Sequence, residues 1–467
     1  MHILFSYSSL SVLTLLTTLV SASSSLEDVS QPERARRSLL GVEVDIDLNT
    51  QLIAELGIAI TGNVLPLTSS GITLDVGFGR GAYGPVESVF AGNAYAITIN
   101  IDGSDYPVIL DTGSSDLWLP KHDFVCEDVN GTVIEQKKCY IGPGPPAFSE
   151  GSIDDQIFNI YYADGEFASG GYGFGTVSFG GVTVPKQQYA LVDRLHWDGD
   201  GFTSGLIGFG FPSITAAAYK DPKSHNQTYP MYNPWIFSAI ENGDVVPGQF
   251  TIGLYRRGRN DTNGSPRGFL SLGGTPPPAD LPYTGVWAST PIIQSQSPHY
   301  NFTPSYTTYS IQVDGITVNG EFMQWIAPIQ NDTGLTTPTS VDFGYSLSYL
   351  HSKVVDAIAR AFDPVPARIP QRDDQYFPLC NSTVPEVSFR IGGQDFAVNP
   401  RDVLIGDAAG EQDGGICTLG FFNWPADQEA DGYSPAAPVF GDNFLRNAVV
   451  VHDVERYQLA FGGVHWD

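Results

Sequence analysis

At 467 residues the chain is long enough for two or three domains with substantial cores. Its 51 glycines and 33 prolines, with 12% aromatic and only 16% charged residues, disfavour long amphipathic helices and make a mostly β architecture the leading expectation. A formal net charge of −28 argues against nucleic acid, whose phosphates need a basic stripe, and a carboxylate excess of this size repels itself less as pH falls.

In chain order, Leu10 to Val20 is apolar and Val20-Ser21-Ala22 offers a small-residue cleavage site, so residues 1–22 read as a signal peptide. The run is short for a membrane span, and no stable membrane insertion is expected. Arg34-Ala35-Arg36-Arg37 resembles a dibasic processing site, and residues 23–90 read as a pro-region or N-terminal extension. Within it, Thr50 to Ile60 suits a short helix and Ile72 to Val76 a strand. From Ala94 the pattern alternates through Tyr95, Ile97 and Ile99, turns at Gly103, and returns along Val108 to Leu110 as a hairpin. The stretch from Gly274 to Pro282 is Pro-rich and suggests a connection between two halves, 91–285 and 286–467. A second alternating segment, Tyr309 to Ile316, follows it.

Each half carries a related signature. The first is Val108-Ile109-Leu110-Asp111-Thr112-Gly113-Ser114-Ser115, followed by Leu117-Trp118. The second is Thr339-Ser340-Val341-Asp342-Phe343-Gly344-Tyr345-Ser346, followed by Leu347. Both set an aspartate at the end of an apolar strand, on a turn that glycine allows to approach something closely. Two apolar residues and a glycine recur downstream, at Leu206-Ile207-Gly208 and Val439-Phe440-Gly441. Asp111 precedes Gly208 by 97 residues and Asp342 precedes Gly441 by 99, so the two halves read as an internal repeat. Two similar lobes would then each give one aspartate to a shared cleft.

These motifs resemble the pepsin family of aspartic endopeptidases, in particular its secreted fungal members, over roughly residues 90–467. Tyr162-Ala163-Asp164-Gly165 with Ser169-Gly170 is similar to the family's flap hairpin, and Phe269 to Gly274 near the end of the first lobe and Phe444-Leu445-Arg446 near the chain end also resemble the family. The resemblance implies a mostly β, bilobal acid-protease fold with pseudo-twofold lobes about a central cleft. It implies Asp111 and Asp342 as the catalytic pair, and Gly113, Gly344 and Ser346 as contacts to substrate main chain. Tyr162, Ala163 and Asp164 would belong to the flap, with Thr112, Ser114 and Trp118 in support. Two carboxyls at ~3 Å and an effective dielectric of ~20 repel by roughly 5 kcal/mol, so one keeps its proton into the mildly acidic range while the other stays charged. That pair activates water directly and needs no metal or cofactor. The expected partner is a peptide or protein substrate, and a monomer is expected.

The four cysteines allow three pairings; pairing Cys126 with Cys139 and Cys380 with Cys417 keeps each bridge local. The resemblance also puts Cys380 and Cys417 at the family's second-lobe disulfide. Seven Asn-x-Ser/Thr sequons begin at Asn130, Asn226, Asn260, Asn263, Asn301, Asn331 and Asn381, which with the signal peptide fits a secreted, extracellular glycoprotein. Other patterns fail. Gly79-Arg80-Gly81-Ala82-Tyr83-Gly84 is followed by Pro85 rather than a helix, and the calcium-loop start at Asp45 lacks its glycine and its glutamate.

The second signature departs from the family pattern. Phe343 stands where a hydroxyl residue braces the opposite loop, and Tyr345 stands where a small hydroxyl flanks the aspartate. The first lysine is Lys121, so no pro-region lysine exists to pair with the carboxylates, although Arg80 is available. The departures leave a second reading, a weak or inactive homologue that binds a protein or glycan, beside the acid endopeptidase.

Overall fold

Alternating apolar residues build the first hairpin as expected. In a computed structural model, strand Ala94–Ile101 pairs antiparallel with Ser104–Asp111, turning through Asp102 and Gly103 at φ of 52° and 90°. Tyr95, Ile97, Ile99, Val108 and Leu110 are all buried on it. The structure describes residues 37–39, 42–44 and 82–464, except 163, 222, 224–228, 257, 259–260, 275–282, 297–303, 325–337, 370–374, 407–414 and 425–436. The signal peptide, the Thr50–Ile60 helix, the Ile72–Val76 strand, Arg80, Ala163, most of the Gly274–Pro282 connection and the sequons at Asn226, Asn260, Asn301 and Asn331 lie outside the described residues. Of residues 1–58 the structure describes one hairpin, Arg37–Leu39 with Val42–Val44.

The internal repeat is a repeat of topology. Strand Leu206–Gly208 inserts between Ser104–Asp111, which it meets in parallel with Gly208 opposite Asp111, and Leu117–Glu127, which it meets antiparallel. In the second half Val439–Phe440 inserts between Thr339–Val341 in parallel and Ser348–Leu350 antiparallel. Each turn that carries an aspartate thereby joins two strands of its own half across the strand inserted between them. Gly208 and Gly441 are needed because the neighbouring turn crosses there: a Cβ on Gly208 would lie 2.5 Å from the Ser114 carbonyl oxygen, and one on Gly441 2.4 Å from that of Leu347.

A 15-stranded sheet runs through the molecule from Ala217–Tyr219 at one edge to Tyr283–Pro291 at the other. Its far side includes the last two strands, Ala448–Asp453 and Gln458–Val464, which join Gln249–Leu254 of the first half through Ala448–Asp453. The expected alternating segment at 309–316 is broken. Ser310–Ile311 pairs with Thr339–Val341, while Gly315–Val318 belongs to a separate four-stranded sheet. The break falls at Asp314, whose N–H donates to the Arg390 carbonyl (2.9 Å) while its carboxylate accepts from the Gly393 N–H (2.8 Å). Both local disulfides form, Cys126–Cys139 and Cys380–Cys417.

Candidate active site

The two aspartate turns meet, one from each half. A Cβ built on Gly113 would stand 1.9 Å from Asp342 Oδ2, and one on Gly344 2.4 Å from Asp111 Oδ1. Each glycine is therefore required by the other half's carboxyl, which no sequence window could reveal. Within its own turn, each aspartate accepts a hydrogen bond from the glycine two residues on: Gly113 N–H to Asp111 Oδ1 at 2.7 Å and Gly344 N–H to Asp342 Oδ1 at 2.8 Å.

The symmetry stops at the hydroxyls. Ser114 Oγ donates to Asp111 Oδ2 at 2.5 Å, whereas Tyr345 occupies the equivalent place after Asp342 and donates no such bond. The half of the brace carried by Thr112 is formed: its Oγ1 donates to the Val341 carbonyl (3.2 Å) and accepts from Phe343 N–H (3.0 Å). The reciprocal half is replaced by packing. The Phe343 ring is 1% exposed and lies 5.8 Å from the His452 ring. Ser346, expected to meet substrate main chain, donates its hydroxyl to the Asn93 carbonyl and so ties the second turn to the first half.

Burial pushes both carboxyls above the usual range, Asp111 moderately and Asp342 strongly. Ser114, Gly113 and the hydrogen bond to Asp342 pull Asp111 back down, while the Asp111 charge pushes Asp342 further up. The pair titrates as a unit, with one proton held into a range where an ordinary carboxyl has lost it.

Above the pair stands a hairpin of Ser152–Tyr161 and Phe167–Phe179, with Tyr161 opposite Phe167. Its tip closes through Tyr162 N–H to the Glu166 carbonyl (2.8 Å). Trp118 Nε1–H donates to the Tyr162 hydroxyl at 2.7 Å, which bends the tip tyrosine down onto the residue that follows the first signature. Trp197 packs edge-on against both, at 5.1 Å from Trp118 and 5.6 Å from Tyr162. On the hairpin's other side Glu166 accepts from the Asp198 N–H at 2.6 Å, and burial together with Asp164 raises its carboxyl to about 8.

The whole region from the first hairpin to the last strand matches one family model, that of the eukaryotic aspartyl proteases, over residues 94–464. The chain belongs to that family. A protein of Aspergillus fumigatus described as a probable aspartic-type endopeptidase is 32% identical over 373 residues, covering 79% of this chain and 78% of that one. Rhizopuspepsin-4 of Rhizopus niveus is 28% identical over 371 residues (78% and 76%), and secreted aspartic protease 3 of Candida albicans 24% over 384 (82% of each). The crystal structure of the aspartic proteinase from Irpex lacteus shares the fold, with a TM-score of 0.59 at 18% identity, covering 82% of this chain and 97% of that one. The enzyme class is aspartic-type endopeptidase.

This aspartyl protease buries further acids around its dyad that sequence reasoning passed over. Asp116 is fully buried and accepts from the hydroxyls of Tyr172 and Tyr232 (both 2.7 Å) and from Ala216 N–H (2.8 Å). Burial still outweighs these bonds and raises its carboxyl. Asp442 follows Gly441 directly, yet neither carboxyl oxygen has a hydrogen-bond partner among the described residues, and burial raises it well above the usual range. Asp442 lies one residue beyond the glycine that marks the second half of the repeat, a signal the sequence does contain. Tyr172, Tyr232 and Trp197 come from distant segments with no motif to mark them.

Proposed function

We propose that this protein is a secreted endopeptidase that hydrolyses extended peptides, with apolar residues around the scissile bond, at acidic pH. The observation that carries the reading is the pair of buried carboxyls, one from each half, each reaching against the glycine of the other's turn. In this reading Asp111, held toward the charged form by Ser114 and Gly113, takes a proton from a bound water as that water attacks the peptide carbonyl. Protonated Asp342 hydrogen-bonds the carbonyl oxygen. The proton gained by Asp111 then passes to the leaving nitrogen, so no covalent intermediate arises. The tip of the 152–179 hairpin closes over the peptide, with Tyr162 excluding water.

Around this core we assign residues 1–22 to a signal peptide, 23–90 to an activation segment, and 91–285 and 286–467 to the two lobes of a monomer. Among the described residues no helix is long and apolar enough to cross a membrane. Of the described sequons, Asn130 and Asn381 are exposed and open to a glycan, whereas the Asn263 side-chain amide donates to Asp200.

Cleavage of a denatured protein at acidic pH, blocked by pepstatin, is the test; no cleavage at any pH between 2 and 7 would favour the binding-protein reading raised by Phe343 and Tyr345. A Ser114→Ala protein should show the acid limb of its kcat/KM profile displaced to higher pH. The Ser114 hydroxyl favours charged Asp111, so its loss raises the pH at which the base forms. An acid limb that stays in place would remove Ser114 from this role.

A further inference from the structure

The second signature carries a bulky ring where its counterpart in the first half carries a serine. Ser114 turns its hydroxyl onto Asp111. Tyr345, at the same place in its turn, is half-buried, and its hydroxyl has no hydrogen-bond partner among the described residues. The turn itself is fixed. Tyr345 N–H points to the Asp342 carbonyl (3.5 Å), its own carbonyl accepts from Asp442 N–H (2.7 Å), and the next residue is tied to Asn93.

On one side the ring meets Tyr349 edge-on, with centroids 5.9 Å apart. Its phenol lies within electrostatic reach of Asp342, Asp111 and Asp164, the exposed acid at the tip of the hairpin. The adjoining Gly344 is exposed and passes directly over the Asp111 carboxyl. The ring therefore occupies volume beside the dyad turn that a small hydroxyl residue would leave open.

We propose that the Tyr345 ring forms the wall of a substrate subsite beside the dyad and restricts that subsite to small side chains such as Gly, Ala or Ser. The inference rests on the endopeptidase reading and goes beyond it by naming what sets selectivity at one substrate position. A ring is a steric filter: bulky side chains must displace it from Tyr349, whereas small ones pass beneath.

The test is digestion of a peptide library, randomised on both sides of the cleavage point, at acidic pH by the native, Tyr345→Thr and Tyr345→Phe proteins. The native protein should disfavour Leu, Ile, Phe, Tyr and Trp at one position near the scissile bond. Tyr345→Thr should admit them there, raising kcat/KM for a bulky relative to a small residue by about 10-fold or more, mainly through KM. Tyr345→Phe keeps the ring and should keep the filter. An unchanged preference at every position in an active, folded Tyr345→Thr protein would overturn the proposal, as would loss of the filter in Tyr345→Phe. Absence of cleavage by the native protein would instead remove the endopeptidase reading, and this proposal with it.

Discussion

An Asp111→Asn protein should fold like the native chain and lose at least ~10³-fold of its cleavage rate, since it lacks the group that takes the proton from water. Asparagine is nearly isosteric: its side-chain oxygen can still accept from Gly113 N–H, while its amide, in the place of Oδ2, can donate to Ser114 Oγ with the direction of that bond reversed. Its amide cannot accept a proton near pH 4. With the neighbouring charge gone, Asp342 should also ionise more easily, because that charge is the second cause of its raised carboxyl. Asp342→Asn should be inactive too, for the opposite reason: Asp111 remains a base but the carbonyl oxygen loses its acid. Peptide cleavage by the three purified proteins at pH 3 to 6 checks this, with a thermal melt as the folding control. Cleavage by Asp111→Asn within tenfold of native would exclude the dyad as the catalytic apparatus.

The sequence made the paired turns legible because each is local: an apolar strand, an aspartate and a glycine within eight residues. Their near-equal spacing to Gly208 and Gly441 reflects the inserted strand that closes each half. Interactions between the halves were not legible. That Gly113 is held open by Asp342, or that the Ser346 hydroxyl is taken by Asn93, depends on packing across more than 200 positions. Phe343 is legible as a departure, but its partner is not. The missing hydroxyl brace is filled by an aromatic cluster in which His452, from the strand Ala448–Asp453, lies beneath it. Restoring threonine at 343 would regain a hydrogen bond worth about 1 kcal/mol and vacate a fully buried ring worth about 3–5 kcal/mol. Packing dominates, so the departure at Phe343 is a compensated one.

That cluster sets a limit on how acidic the medium can become. His452 is fully buried, stacks on Phe250 with centroids 4.3 Å apart and nearly parallel rings, and meets Tyr309 edge-on at 4.6 Å. Among the described residues neither ring nitrogen has a hydrogen-bond partner in good geometry, and the backbone polar groups that act on it are at Val450 and Phe250. Burial drops its pKa from 6.5 to about 3. The unfolded chain therefore binds a proton that the folded chain refuses, and stability drains away as pH falls from above 6.5 toward 3. The full shift corresponds to about 5 kcal/mol, of which a cation–π contact with Phe250 would return roughly 2. The dyad, Asp116, Asp442 and Glu166 act in the other direction. Their carboxyls are raised, so what they contribute is complete below the ordinary carboxylate range and lost as pH rises through their higher values. Folding is thus opposed at both ends, by the acids toward neutrality and by one histidine toward strong acid. In a His452→Phe protein the acid-side penalty should vanish. The slightly larger ring costs ~1 kcal/mol at every pH, but the melting temperature relative to native should climb steadily as pH is lowered from 7 to 3 and end above it. A difference from native that is the same at both pH values would mean that His452 does not titrate on unfolding, and the acid limit would have to arise elsewhere.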